Sequence, residues 1–182
     1  MDTAVALLLK LFSWMKCYVC LNRGSGLLIW VRHRVVGYRS ADKVKPSSSG
    51  GVIVGIDYLE MDEIPETTIL MKDFTDDDAP EMLKQVLGGQ ADVVMSDMAP
   101  PTTGHRPTDH LRIMSLAEMA YQFAREVLAP DGVFIAKLLQ GGAQKTLLDS
   151  MKKDFKKVRH IKPDASRKDS SEMYIVGQGF RG

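Results

Sequence analysis

From residue 52 onward, short β-branched apolar runs alternate with amphipathic stretches of helical period. That rhythm constrains the fold of this chain more than any other feature. Runs at 52–57 (VIVGID), 68–73 (TILMKD), 91–97 (ADVVMSD) and 132–138 (GVFIAKL) read as strands. Between them, 76–87 carries acids in its first turn and Met82, Leu83, Val86 and Leu87 at helical spacing. A long amphipathic helix is expected over 109–128, closed by Pro130-Asp131-Gly132, and a third helix over 143–155 with bases toward its end. Strands at 158–161 and 173–176 finish the chain. Strands alternating with helices predict a mostly parallel, doubly wound α/β sheet. The last two strands have no helix between them and are expected to form an antiparallel edge. The stretch 45–51, rich in serine and glycine, reads as a flexible surface loop.

Composition adds exclusions. The 182 residues are 45% hydrophobic and 26% charged, which suits one globular domain and excludes disordered or collagen-like chains. Lysines and arginines number 24 against 23 acids, so bulk charge names no partner. Their distribution is uneven: 57–97 is acidic, whereas 145–168 is crowded with bases from Lys145 to Lys168. A local anion-binding face is expected there. Cys17 and Cys20 form a lone C-x-x-C with no second ligand pair, so no metal site is expected. The apolar stretch 4–15 is broken by Lys10 and is short of the roughly 20 residues that span a bilayer. It lacks a basic lead-in and a clean cleavage site, so a cytosolic chain is expected.

In an open α/β sheet, ligands sit beyond the carboxyl ends of the strands. Asp57, Asp73 and Asp97 each end a predicted strand. An acid after the second strand of such a unit commonly accepts hydrogen bonds from a ribose diol, which points to a nucleoside-containing cofactor; strand-ending acids also serve as helix caps. Lys137 lies inside an apolar strand, where a lysine is costly to bury unless paired or functional, although its stem could reach the sheet edge. Glu172 opens the last strand and could meet the same edge or simply be solvated.

Several strings carry a family resemblance. They are Ser96-Asp97-Met98-Ala99-Pro100, Thr103-Gly104, Asp109-His110, Phe134-Ile135-Ala136-Lys137, and the run from Lys162-Pro163 through Ala165-Ser166-Arg167-Lys168 to Ser170-Ser171-Glu172. Together they resemble the FtsJ/RlmE family over 52–182. The resemblance implies a Rossmann-like S-adenosylmethionine-dependent methyltransferase fold, a mostly parallel sheet with an antiparallel last strand. It implies 2′-O-methylation of a uridine ribose in large-subunit (23S-type) ribosomal RNA, free or in an assembled subunit, by a cytoplasmic monomer. Of the family's Lys-Asp-Lys-Glu tetrad, the last three members fall on Asp97, Lys137 and Glu172, with Lys137 as proton acceptor. The cofactor-binding acids fall on Asp57, Asp73 and Asp97. No metal is implied.

Residues 1–40 depart from this pattern. The family's first tetrad lysine and its loop Leu-Asp-Leu-Gly-Ala-Ala-Pro-Gly-Gly-Trp belong upstream of Val52, and neither is present. Residues 28–37 (LIWVRHRVVG) can be encoded so that a reading frame begun one base earlier yields that loop. Part of this is forced by single-codon residues: Trp30 before Val31 gives only glycine, and Trp14 before Met15 only aspartate. The expectation is an aberrant, out-of-frame segment over 1–40 and a methyltransferase domain over 41–182, with residues 27–31 filling the first-strand slot. An unrelated extension remains the plainer alternative. Two other functions compete: an RNA-binding remnant without the cofactor loop, and a nicotinamide-dependent dehydrogenase. The latter gives Lys137, Asp97 and Glu172 no role.

Overall fold

The computed structural model describes residues 20–22, 26–29, 53–58, 67–96, 98, 101–140, 144–162 and 171–182; for 20–22, 26–29, Ile53 and Thr67 only the backbone course is described. The loop expected at 45–51, and most of 1–40, lie outside them. So do Asp97 and the family string over 163–170.

Strands β1 (Cys20–Asn22), β2 (Gly26–Ile29), β3 (Ile53–Asp57) and β4 (Thr67–Met71) form one sheet in that order. β1 is antiparallel to β2, while β2, β3 and β4 run parallel. Leu27, Leu28 and Ile29 align with Ile53, Val54 and Gly55, so this part of the expected 27–31 strand lies beside β3. A second sheet holds β5 (Ala91–Ser96), β6 (Leu128–Leu139), β8 (Glu172–Phe180) and β7 (Phe155–Ile161), in the order β5-β6-β8-β7. β1 and β2 lie against β5, which joins the two sheets. β5 and β6 are parallel, and β8 is antiparallel to both of its neighbours. The last two strands therefore pair antiparallel as expected, but β8 inserts between β6 and β7, leaving β7 alone at the edge.

Three helices complete the described layers. α1 (Ala79–Leu87) buries Ala79, Leu83 and Leu87, spaced four apart on one face. α2 (Arg106–Val127) packs on β6 through a face that includes Ala117, Ala120, Tyr121 and Ala124. The small alanines let helix and sheet approach closely. α3 (Lys145–Asp154) presents Leu147 and Met151 toward β7 and β8. Gly177 on β8 is required there, because a Cβ at that position would come within 2.8 Å of the Phe155 ring. One core runs from Val54 and Ile56 through Phe134 and Ile135 to Val176 and Phe180. Each large side chain fully buried in it contributes roughly 1.5–3 kcal/mol.

The helix expected over 109–128 ends within one residue of expectation but begins three residues earlier. It starts at Arg106, with Pro107 in its first turn, and passes directly into β6 at Leu128. Pro130-Asp131-Gly132 follows closely on that end, but within a strand that begins at Leu128 and not at Gly132. It forms an irregularity inside β6, where the register steps from Ala91↔Leu128 to Val93↔Val133 and Asp131 takes a φ of 66°. Extra residues on one strand are absorbed as a bulge.

Candidate active site

β6 lies between β5 and β8, and its Phe134, Ile135, Ala136 and Leu138 are wholly buried. Lys137 sits among them with a side chain only 7% exposed. Its backbone pairs with Tyr174, and Leu139 pairs with Glu172. Lys137 and Glu172 are thus diagonal neighbours on one face of an antiparallel pair, within reach of long side chains. The Lys137 Nζ stands 3.8 Å from the Glu172 Oε1. Glu172 is half exposed, so the pair connects a buried ammonium to the solvent-facing end of the sheet. A charge placed here is tolerable because it has a carboxylate partner.

The three acids fare differently. Asp57 is the last residue of β3 and is 5% exposed; its carbonyl accepts the Lys72 N–H at 2.8 Å, holding the carboxyl ends of β3 and β4 together. A buried carboxylate at that end suits a ribose diol, which offers two hydroxyl donors. Asp73 lies two residues beyond β4 and is exposed, with its Oδ1 accepting the Thr75 N–H at 2.8 Å and the Thr75 hydroxyl at 2.7 Å. Asp97 follows Ser96, the buried final residue of β5, and is itself outside the described residues. The structure therefore brings Lys137 and Glu172 together at one sheet's end, and Asp57 and Asp73 to the end of the other.

Sequence reasoning assigned no role to Asp109, which is 8% exposed in the first turns of α2. Its Oδ1 accepts the Thr103 N–H at 2.8 Å and the Thr103 hydroxyl at 2.7 Å. The Thr103 hydroxyl in turn accepts the His105 N–H at 3.2 Å. The Thr103 N–H, then its hydroxyl, hold the Asp109 carboxyl below the ordinary carboxylate range. This clamp fixes the loop entering α2. Its signal was an acid one turn into a helix after a Thr-Gly pair. Among the described residues, no group of His, Cys, Asp or Glu side chains is placed to hold a metal ion.

Comparison with known proteins gives this geometry its context. A family model described as FtsJ-like methyltransferase matches residues 31–180. The chain is 58% identical over 132 residues to a ribosomal RNA large subunit methyltransferase E of Parvibaculum lavamentivorans, covering 72% of this chain and 52% of that one. It is 56% identical over 147 residues to the protein of the same name in Paramagnetospirillum magneticum, covering 81% of this chain and 60% of that one. It thus spans about half to three-fifths of the length of these curated relatives. In three dimensions it resembles a Plasmodium falciparum protein described as a ribosomal RNA methyltransferase, with a TM-score of 0.64 and 26% identity over 74% of this chain and 75% of that one. The expected Rossmann-like fold and the matched family agree: this chain belongs to the FtsJ-like methyltransferase family.

Proposed function

We propose that the reaction of this protein is 2′-O-methylation of a uridine ribose in large-subunit ribosomal RNA, with S-adenosylmethionine as methyl donor, carried out when residues 1–40 are read in the family's frame. The observation that carries the reading is the buried Lys137 held by Glu172 at the end of β6, in a chain of this family. When bound, the sulfonium cofactor supplies an electrophilic methyl group. Asp57 fits its ribose, being a buried carboxylate at the carboxyl end of β3. Asp73 and Asp97 complete the acids assigned to it. A ribose 2′-hydroxyl is a weak nucleophile at neutral pH, so a base must take its proton as the oxygen attacks. Lys137, in its amine form, accepts that proton at Nζ and passes it to solvent past Glu172. Glu172 and Asp97 orient the lysine and the hydroxyl, and alignment of oxygen with methyl lowers the barrier further. The 2′-hydroxyl also distinguishes RNA from DNA. This chemistry belongs to ribosome biogenesis in the cytoplasm, with the chain acting as a monomer; among the described residues no helix is long and apolar enough to cross a membrane.

We further infer that residues 1–40 are an out-of-frame reading of the family's N-terminal segment, ahead of a methyltransferase domain over 41–182. Its support is the ten-residue match obtained from 28–37 by a one-base shift, together with the absence of the family's loop string from the sequence upstream of Val52. In the sequence as written, Arg32-His33-Arg34 occupies positions where the shifted frame reads the family's glycine loop, and glycine is the residue that lets backbone approach a ligand closely. The test is transfer of a radiolabelled methyl group to ribosomal RNA by this chain and by a counterpart with residues 1–40 re-read one base earlier. Labelled 2′-O-methyluridine from the counterpart is expected, with none from the chain as written. A silent counterpart overturns the reaction, and equal rates overturn the frameshift. Sequencing codons 1–45 checks the frameshift independently.

A further inference from the structure

The β7 edge shows a charge arrangement that the catalytic pair does not use. Between Lys145 and Lys162 lie seven lysines and arginines and only two acids, Asp149 and Asp154. Asp154 is withdrawn from the surface run: its Oδ2 accepts the Tyr121 hydroxyl at 2.5 Å and pairs with the Arg125 Nε at 2.9 Å. Lys156 is also engaged, its stem crossing Gly179 and its ammonium bonded to Asp131. Lys152, Lys153 and Lys157 are exposed and make no ion pair among the described residues.

Register fixes where these bases lie relative to Lys137. Tyr174 on β8 pairs with Lys137 on one side and with Ile161 on the other, so the three form a row across the sheet. Two strand spacings place the Ile161 backbone about 10 Å from that of Lys137. From Ile161 back to Lys157 is a further 13 Å or so along β7 at about 3.3 Å per residue. Lys152 and Lys153 follow at the last turn of α3, where the chain enters β7. The bases therefore run from the catalytic row toward the opposite end of the sheet.

We propose that this edge is a phosphate track for RNA flanking the methylated nucleotide, held chiefly by Lys152, Lys153 and Lys157. The proposal rests on RNA being the substrate. Charge complementarity selects this occupant: a strand of regularly spaced phosphates meets a line of cations with one exposed acid, Asp149, beside it and no ion pair among the described residues. Edge lysines also discourage strand pairing, and lysines at a helix C-terminus suit its dipole. Neither role gives the three residues a specific share in RNA affinity, and the test turns on that share.

The experiment measures polarisation of a fluorescein-labelled RNA hairpin with single-stranded flanks, titrated with the full 182-residue chain at several salt concentrations and without cofactor. The track variant changes Lys152, Lys153 and Lys157 to Gln. A charge-matched control changes the exposed Gln85, Gln90 and Gln122 to Glu, lowering net charge equally. The track variant should raise Kd about tenfold at physiological salt and reduce the slope of log affinity against log salt by about two, from three contacts at roughly 0.7 each. The control should leave the slope unchanged. Single variants, each worth about a third of the slope change, replace the triple one if its circular dichroism departs from the parent's. Equal effects of track and control variants, absence of RNA binding, or tighter binding of polyglutamate than of the RNA would overturn the track. Because binding is read without cofactor, a chain that binds through the track while its in-frame counterpart never transfers methyl sinks the reaction alone.

Discussion

At the β4 and α1 edge, Lys72 lies between Asp76 and Asp78, at 3.1 and 2.9 Å, and Lys84 lies between Glu81 and Glu126, each at 2.6 Å. At the β7 and α3 edge, Lys152, Lys153 and Lys157 have no such partners among the described residues. The same residue type is closed off in one place and left open in the other. Asp78, then Asp76, hold Lys72 above the ordinary lysine range, and Glu126, then Glu81, do the same for Lys84. Lysines so enclosed by carboxylates stay charged and tie α1 to its neighbours, but offer little to an outside anion. Inside the molecule the two sheets differ in parallel fashion. The first ends in a buried carboxylate, Asp57, and the second in a buried lysine, Lys137.

The strongest way to break this division is Lys137→Ala in the chain carrying an in-frame glycine loop. Methyl transfer should fall at least about 10²- to 10⁴-fold, the share of a positioned general base, with cofactor affinity nearly unchanged. Retained turnover at neutral pH would remove Lys137 as the base. Asp57→Ala in the same background should do the reverse. Loss of a charge-assisted ribose contact of about 1.5–3 kcal/mol weakens cofactor binding roughly ten- to hundredfold, read by calorimetric titration. An unchanged dissociation constant would place the cofactor away from the first sheet.

Tyr121→Phe probes the anchor that keeps Asp154 from the open lysines. The phenol is buried, and burial together with its bond to Asp154 pushes its titration upward, so it remains a neutral donor at all ordinary pH. Removing that donor should cost about 1.5 kcal/mol in urea unfolding. It should also weaken RNA binding slightly, as Asp154 becomes available to neighbouring lysines. An unmoved unfolding midpoint would show that Arg125 alone suffices.

The smallest effect concerns Asp109. Its carboxyl is held below the ordinary value of 3.8 by Thr103, so the folded form favours the carboxylate. The stability this contributes is complete above the unfolded pKa and is lost as pH falls through the lower folded one. Asp109→Asn keeps an acceptor for Thr103 but cannot titrate. The stability difference between parent and variant should therefore be flat near neutrality and shrink only below about pH 4. A difference that varies instead around pH 6–7 would assign the clamp to another group.

Much of the fold was legible because burial writes a period into the sequence. The strands ending at Asp57 and Ser96 and the helix carrying Leu83 and Leu87 fall within a few residues of expectation. The failures have local causes. The helix stops just before Pro130-Asp131-Gly132 as expected, but the strand expected from Gly132 starts at Leu128, because β5 pairs on both sides of the triplet and the sheet absorbs it as a bulge. The strand expected over 173–176 runs on to Phe180, where Phe155 and Lys156 occupy the space that Gly177 and Gly179 leave. Lys137 stood out in sequence because a charge in an apolar strand is conspicuous. Glu172 could be read from its residues equally as a solvated strand-opening acid, and only the family resemblance gave it a role.

The sequence by itself determined the α/β order, the family strings and the segregation of bases into 145–168, all of which depend on which residues follow one another. Only the tertiary structure decided that β8 enters between β6 and β7, and this one insertion carries the rest. It places Tyr174 opposite both Lys137 and Ile161, puts Glu172 on the diagonal from Lys137, and leaves β7 at the edge with its lysines facing outward. Strand pairing joins residues far apart in the chain, through backbone hydrogen bonds that are nearly indifferent to side-chain identity. The period of a strand can therefore be read from its residues, but its neighbour is chosen by which arrangement buries both faces of β6 at once.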